Sequence, residues 1–144
     1  MAFFNVTLGF GAQTLDCINA HVSLVQYKVP EKITRGSYVM FVAPKAMGQP
    51  FTGHLAIKEV GAVPGDHVVI AHNELYINGR KIGPLDVAEK AAKRMHVAIT
   101  SFAKDEIVPA GKIFVIGTMP HTFDSRYWGY ADAGSVVGRA VPLI

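Results

Sequence analysis

Glycine and proline cut this chain into short runs rich in Val, Ile, Phe and Tyr, and that punctuation constrains its fold more than any other feature. Long helices need uninterrupted windows, whereas short strands fit between closely spaced turns. Candidate strands are Val22–Val25, Tyr38–Ala43, His54–Val60, His67–Ala71, Leu75–Ile77, Ile113–Ile116 and Val136–Val141. Asn78-Gly79, lying between Tyr76-Ile77 and Arg80-Lys81-Ile82, predicts a hairpin, because that pair accepts the positive φ of a type I′ turn. One helix is expected over Asp86–Met95, where Asp86 is a candidate cap and Val87, Ala91 and Met95 recur at helical spacing. Glu89, Lys90, Lys93 and Arg94 form its other face. The expected class is all-β or mostly β, with residues 84–105 as a small helical insertion.

At 144 residues and 50% hydrophobic, the chain supports one domain with a real core, so 1–144 is read as a single unit. The net charge is +3, but the 14 Lys and Arg are spread along the chain, with no run of them beside aromatics, which argues against a nucleic-acid partner. A single cysteine, Cys17, excludes an internal disulfide framework and a cysteine-rich zinc site. None of the six histidines forms a helical ligand pair, so neither a metal nor a cofactor is expected. Met1–Ala12 is apolar only in patches and falls short of the roughly 20 residues a bilayer span needs. We expect the chain as given to be soluble or peripherally attached to a membrane, with residues 1–12 a remnant beside a removed anchor.

Two segments carry chemistry. In Ile57-Lys58-Glu59-Val60-Gly61-Ala62-Val63-Pro64-Gly65-Asp66, a lysine interrupts an apolar strand, with Ala56 and Val60 on its face. Either Lys58 snorkels to water from an edge, or apolar surroundings favour the neutral amine that can take a proton from a nucleophile. The second segment is Gly117-Thr118-Met119-Pro120-His121-Thr122-Phe123-Asp124-Ser125-Arg126-Tyr127-Trp128-Gly129, where Asp124 and Arg126 are close enough for a local ion pair. By itself it reads equally well as a loop pinned by a salt bridge and an aromatic.

Asp124-Ser125-Arg126-Tyr127-Trp128-Gly129 resembles the C-terminal signature of the type I signal peptidases. Lys58 through Pro64-Gly65-Asp66 resembles their lysine box, and Val137-Gly138-Arg139-Ala140 follows in the right order. Within that family the chain is most similar to the conjugative-transfer (TraF-like) pilin-processing enzymes, partly through Met47-Gly48-Gln49-Pro50-Phe51. The resemblance implies a signal-peptidase-like coiled sheet or partly open barrel and a nucleophile–lysine dyad with no metal. It also implies an exported pilin precursor as substrate and a place on the periplasmic, outer face of the bacterial inner membrane. It implies further that Thr122 orients the lysine and that Asp124, Ser125 and Arg126 form the structural motif. Two positions depart from the family pattern: Glu59 stands where Arg is usual and Thr118 where Asp is usual, so the salt bridge those residues make in the family is not expected.

For the nucleophile, Cys17-Ile18-Asn19 before Val22-Ser23-Leu24-Val25 places Cys17 at the family position, and a thiol is easier for a lysine to activate than a hydroxyl. Ser23 is the rival, and Cys17 as a small buried hydrophobe is the bland alternative. His21 and His121 lie close enough in sequence to the two boxes to be weighed as partners of Cys17, but Lys58 has the better motif. Backbone amides near Cys17 would supply the oxyanion hole, since Leu15 offers no side-chain donor. The expected reaction is endoproteolysis through an acyl-enzyme, with pilin cyclisation as a possible resolution. The competing reading is a non-catalytic assembly factor of a conjugation or type IV secretion apparatus that keeps the fold.

Overall fold

The computed structural model describes residues 6–10, 15–16, 22–118 and 121–142, with side chains from 26 to 118 and from 121 to 141. In chain order the strands are β1 (Val6–Phe10), β2 (Leu15–Asp16), β3 (Val22–Gln26), β4 (Tyr38–Val42), β5 (Leu55–Ala62), β6 (His67–Ala71), β7 (Glu74–Ile77), β8 (Arg80–Pro84), β9 (Lys104–Ile107), β10 (Lys112–Ile116), β11 (Ala131–Asp132) and β12 (Val136–Pro142). Helix α1 spans Ala88–Met95 and a single turn, α2, spans Ser125–Trp128. The fold is mostly β, in agreement with the punctuation of the sequence.

The strands divide into two sheets. The larger runs β1-β3-β12-β4-β5-β10-β11, with β2 lying parallel to β5, and the smaller runs β8-β7-β6-β9. Strand β5 is central to the larger sheet and is buried on both faces. Ala56 and Val60 join Val39, Phe41, Val115 and Trp128 in one apolar cluster, while Ile57 meets Met40 and Ala140 on the opposite face. The smaller sheet turns Val68, Ile70, Leu75 and Ile77 into a further cluster with Ala91 of α1 and Tyr127 of α2. Burial of this kind supplies the main folding drive, at about 25 cal/mol per Å² of apolar surface.

The expected strands all form, with ends moved by a residue or two, as strand boundaries commonly are. Asn78 and Gly79 take φ of 51° and 79°, and Ile77 pairs with Arg80, which is the geometry the hairpin dipeptide demands. The helix begins later than expected. Val87 occupies its N-cap without a side-chain hydrogen bond, and Asp86 Oδ2 accepts instead from the His121 N–H at 2.9 Å. Asp86 therefore ties the loop before Thr122 to the start of α1 rather than capping the helix. Within the segment 1–12, Val6–Phe10 pairs in register with β3 from Val6 opposite Gln26 to Phe10 opposite Val22, so these residues belong to the large sheet. Among the described residues, no helix is long and apolar enough to cross a membrane.

Candidate active site

Lys58 is completely enclosed, with 0% of its surface exposed, in the middle of β5. Strand alternation places it on the face of Ala56 and Val60, so its amine enters the side of the sheet that holds Phe41, Val115 and Trp128. Its Nζ has no hydrogen-bond partner among the described residues. Such a group is costly to bury, since a polar atom out of water normally finds a partner. The snorkelling alternative does not describe it.

The edges of β5 make the position of Lys58 distinctive. On one side β4 pairs along Leu55–Glu59, with Val39 opposite Lys58. On the other side β10 covers the second half of the strand, pairing Ile116 with Glu59 and Val115 with Val60. The first half is covered by β2, which runs parallel and pairs Leu15 with Ala56 and Asp16 with Ile57. Lys58 lies between the places where these two partners stop. Beyond Ala62 the strand ends in a Pro64-Gly65 turn, with Gly65 at φ 92°, and Asp66 secures it by accepting from the Val63 N–H and the Asn78 amide.

The loop after β10 is built around Asp124, which is 0% exposed. Its Oδ1 accepts from the Arg126 N–H at 3.1 Å and Nε at 2.9 Å; Oδ2 accepts from Arg126 Nη2 at 2.6 Å, the Gly117 N–H at 2.9 Å and the Thr122 hydroxyl at 3.2 Å. Arg126 also donates from Nη1 to the Pro84 carbonyl at 2.9 Å, fastening the loop to the end of β8. Burial opposes the guanidinium charge, and the hydrogen bonds and charge of Asp124 more than offset it, so Arg126 holds its proton more firmly than usual. Ser125 Oγ accepts from the Val115 N–H at 2.9 Å, which ties α2 to β10. Gly117 passes so close to Thr122 that a Cβ there would lie 2.4 Å from the Thr122 hydroxyl oxygen.

Thr122 is buried, and its hydroxyl donates to Asp124 and accepts from Arg126 Nη2 at 3.2 Å. It makes no hydrogen bond with Lys58 here, in contrast to the lysine-orienting contact that the resemblance implies. A hydroxyl has one donor and two acceptor lone pairs, so one lone pair of Thr122 is still uncommitted. Cys17 and His21 lie outside the described residues. Ser23 sits on β3 opposite Gly9 and Pro142, and both β12 and β4 intervene between its strand and that of Lys58. Three inter-strand spacings amount to about 14 Å, so the sheet order sets Ser23 apart from Lys58. His121 is exposed and faces Asp86, with Nδ1 to Oδ2 at 3.5 Å. The approach of β2 to β5 had no counterpart in the sequence reading, because a two-residue strand gives no periodicity.

Glu59, on the opposite side of β5 from Lys58, is partly buried, and burial alone pushes its carboxyl above the usual range of about 4.5. A carboxyl raised in the folded state penalises the fold wherever it is ionised. Glu59→Gln should therefore raise Tm at pH 7, and the advantage should shrink as pH falls and vanish below pH 4.5. Thermal melts across pH 3 to 8 (on the order of six points) check the sign; a variant no more stable at neutral pH would show that Glu59 is well solvated.

Residues 14–144 match the family model described as signal peptidase, peptidase S26. The chain is similar to a signal peptidase I of Bacillus caldolyticus, 30% identical over 90 residues covering 58% of this chain and 50% of the relative. It is also similar to a signal peptidase I of Leptolyngbya laminosa, 27% identical over 110 residues covering 74% of this chain and 50% of the relative. Signal peptidase IB of Staphylococcus aureus strain COL is 30% identical over 129 residues, 82% of this chain and 63% of the relative. The crystal structure of a signal peptidase I from Enterococcus faecalis V583 aligns at 29% identity over 76% of this chain and 97% of that one, with a TM-score of 0.46. The chain spans about half the length of the first two of these relatives. With the family model matched from residue 14 to residue 144, the chain belongs to the S26 signal peptidase family.

Proposed function

We propose that this chain is a signal-peptidase-like endopeptidase that cleaves an exported precursor, a conjugative pilin, at the outer face of the bacterial cytoplasmic membrane, with Cys17 as nucleophile and Lys58 as general base. The observation that supports it is the enclosed amine of Lys58, without a hydrogen-bond partner among the described residues, beside the end of β2. Strand β2, which pairs Leu15 with Ala56 and Asp16 with Ile57, brings the described chain to the residue before Lys58 on β5.

In this mechanism the neutral amine of Lys58 takes the thiol proton as Cys17 Sγ attacks the scissile carbonyl. Backbone amides near Cys17 hold the oxyanion. Collapse of the tetrahedral species breaks the C–N bond, the leaving amine takes the proton back from Lys58, and a thioester remains. Thr122 steadies the lysine by accepting from its ammonium with the lone pair that Asp124 and Arg126 leave free. Water then hydrolyses the thioester, or the precursor's own N-terminal amine attacks it and closes the chain into a ring. A tethered amine has a high effective concentration, which lets it compete with water.

Intact-mass measurement of a processed pilin precursor tests the assignment. Wild type should give a cleaved product, with the cyclic form lighter than the linear form by one water, and Cys17→Ala should give none. Cys17→Ser should shift any remaining product towards the linear chain, because an oxygen ester is a poorer acyl donor to amines than a thioester. Full processing by Cys17→Ala would remove the thiol from the mechanism.

A further inference from the structure

Helix α1 carries Lys90, Lys93 and Arg94 against a single carboxylate, Glu89, and none of these cations is in an ion pair among the described residues. Arg94 is nevertheless held in place. Its guanidinium carbon lies 4.5 Å from the ring centre of Phe51 and 5.2 Å from that of Phe123, and Nη2 donates to the Gln49 carbonyl at 3.0 Å. Aromatic rings grip a guanidinium by its faces and leave donors along its edge, where a carboxylate accepts two parallel N–H bonds.

Arg94 also lines a cavity of about 310 Å³, together with Val87, Lys90, Ala91, His121 and Phe123. It shares Val87, Lys90 and His121 with a neighbouring cavity of about 560 Å³, so the two form a trough that suits a polypeptide segment better than a lone inorganic anion. Asp86 faces His121, which leaves Lys90 and Arg94 as the cations of the trough without an ion pair among the described residues; Glu89 lines only the larger cavity, while Arg94 lines only the smaller. The trough also adjoins the candidate active site. Phe123 follows Thr122 in the chain and packs against the apolar cluster containing Ala56 and Val60, the residues that flank Lys58 on its face.

We propose that this pocket is a specificity site for the precursor: Arg94 and Lys90 bind an Asp or Glu side chain of the polypeptide near the bond to be cut. The proposal rests on the peptidase reading for its substrate, and its test separates the two. The probes are peptides of one cleavable, signal-peptide-like sequence that differ only in carrying Glu, Gln or Lys at successive positions on either side of the bond. With the wild-type chain, Glu at one position should lower KM about tenfold relative to Gln, with kcat little changed. Lys90→Glu, an exposed substitution, should turn that preference towards Lys at the same position. Arg94→Lys keeps the charge but loses the planar fork, and should lose most of the discrimination while Tm reports on the fold. Fluorescence anisotropy of the same peptides on Lys58→Ala should show the Glu preference with no cleavage. If no peptide is cut by wild type, the peptidase reading fails and anisotropy alone decides the pocket. Equal affinity for Glu and Gln peptides, or a Glu preference untouched by Lys90→Glu, would overturn the proposal.

Discussion

Lys58→Met should abolish precursor cleavage and at the same time raise the melting temperature. The two effects have one cause. Lys58 is 0% exposed and its Nζ has no partner among the described residues, so the fold carries the cost of a sequestered amine. Methionine fills a similar volume without the polar atom, and removal of that cost should stabilise the domain by about 1–3 kcal/mol, or several degrees at roughly 2–4 °C per kcal/mol. Deletion of the base should lower kcat/KM by at least about 10³-fold. Lys58→Arg should be equally inactive, because a guanidinium does not give up its proton at working pH. Calorimetry and a cleavage assay on the same preparations check both arms. A variant that loses activity only because it melts earlier would make Lys58 a structural residue, and a variant that cleaves normally would remove it from the mechanism.

That pairing of lost activity with gained stability marks a site whose residues are in conflict with the fold, and the conflict is what made Lys58 visible in the sequence. A lysine between Ile57 and Val60 breaks an apolar pattern for no local reason. Asp124 and Arg126 were visible for the opposite reason, since their partnership spans only two residues. What remained hidden depends on contacts between distant segments. The Pro84 carbonyl receives Arg126 across 42 positions, and Arg94 reaches Gln49 across 45. Strand β9 reads Lys-Asp-Glu-Ile, a charged run that pairs with β6 only because His67–Ile70 presents an edge to it. The division into two sheets was equally illegible, because alternation within a strand says which faces are buried but not which strands share hydrogen bonds. Sheet order, which puts two strands between the strand of Ser23 and that of Lys58, belongs to the same class of information.

Asp124→Ala should destabilise the domain far more than loss of a surface ion pair. Five hydrogen bonds converge on this carboxylate, from the Gly117 and Arg126 backbone N–H groups, the Thr122 hydroxyl, and Nε and Nη2 of Arg126. Asp124 is fully buried and Arg126 is only 8% exposed, so the substitution strands a guanidinium with no counter-charge and leaves backbone donors unsatisfied. Breaking one side of a buried pair costs about 3–5 kcal/mol, which for a chain of this size lowers Tm by roughly 6–20 °C. Arg126→Met should cost less, because the carboxylate keeps its other donors, and adding it to Asp124→Ala should recover part of the loss by removing the stranded charge. The loop carries Thr122 and, through Ser125, holds β10 against the far half of β5, so cleavage measured well below the new Tm should fall as well. A Tm within about 2 °C of wild type for Asp124→Ala would mean that water reaches the pair and that the loop is held by Trp128 and Tyr127 packing instead. A double variant no better than Asp124→Ala alone would show that the loss of the carboxylate acceptor for the Gly117 and Arg126 backbone N–H groups, rather than the orphaned guanidinium, is what the loop cannot tolerate.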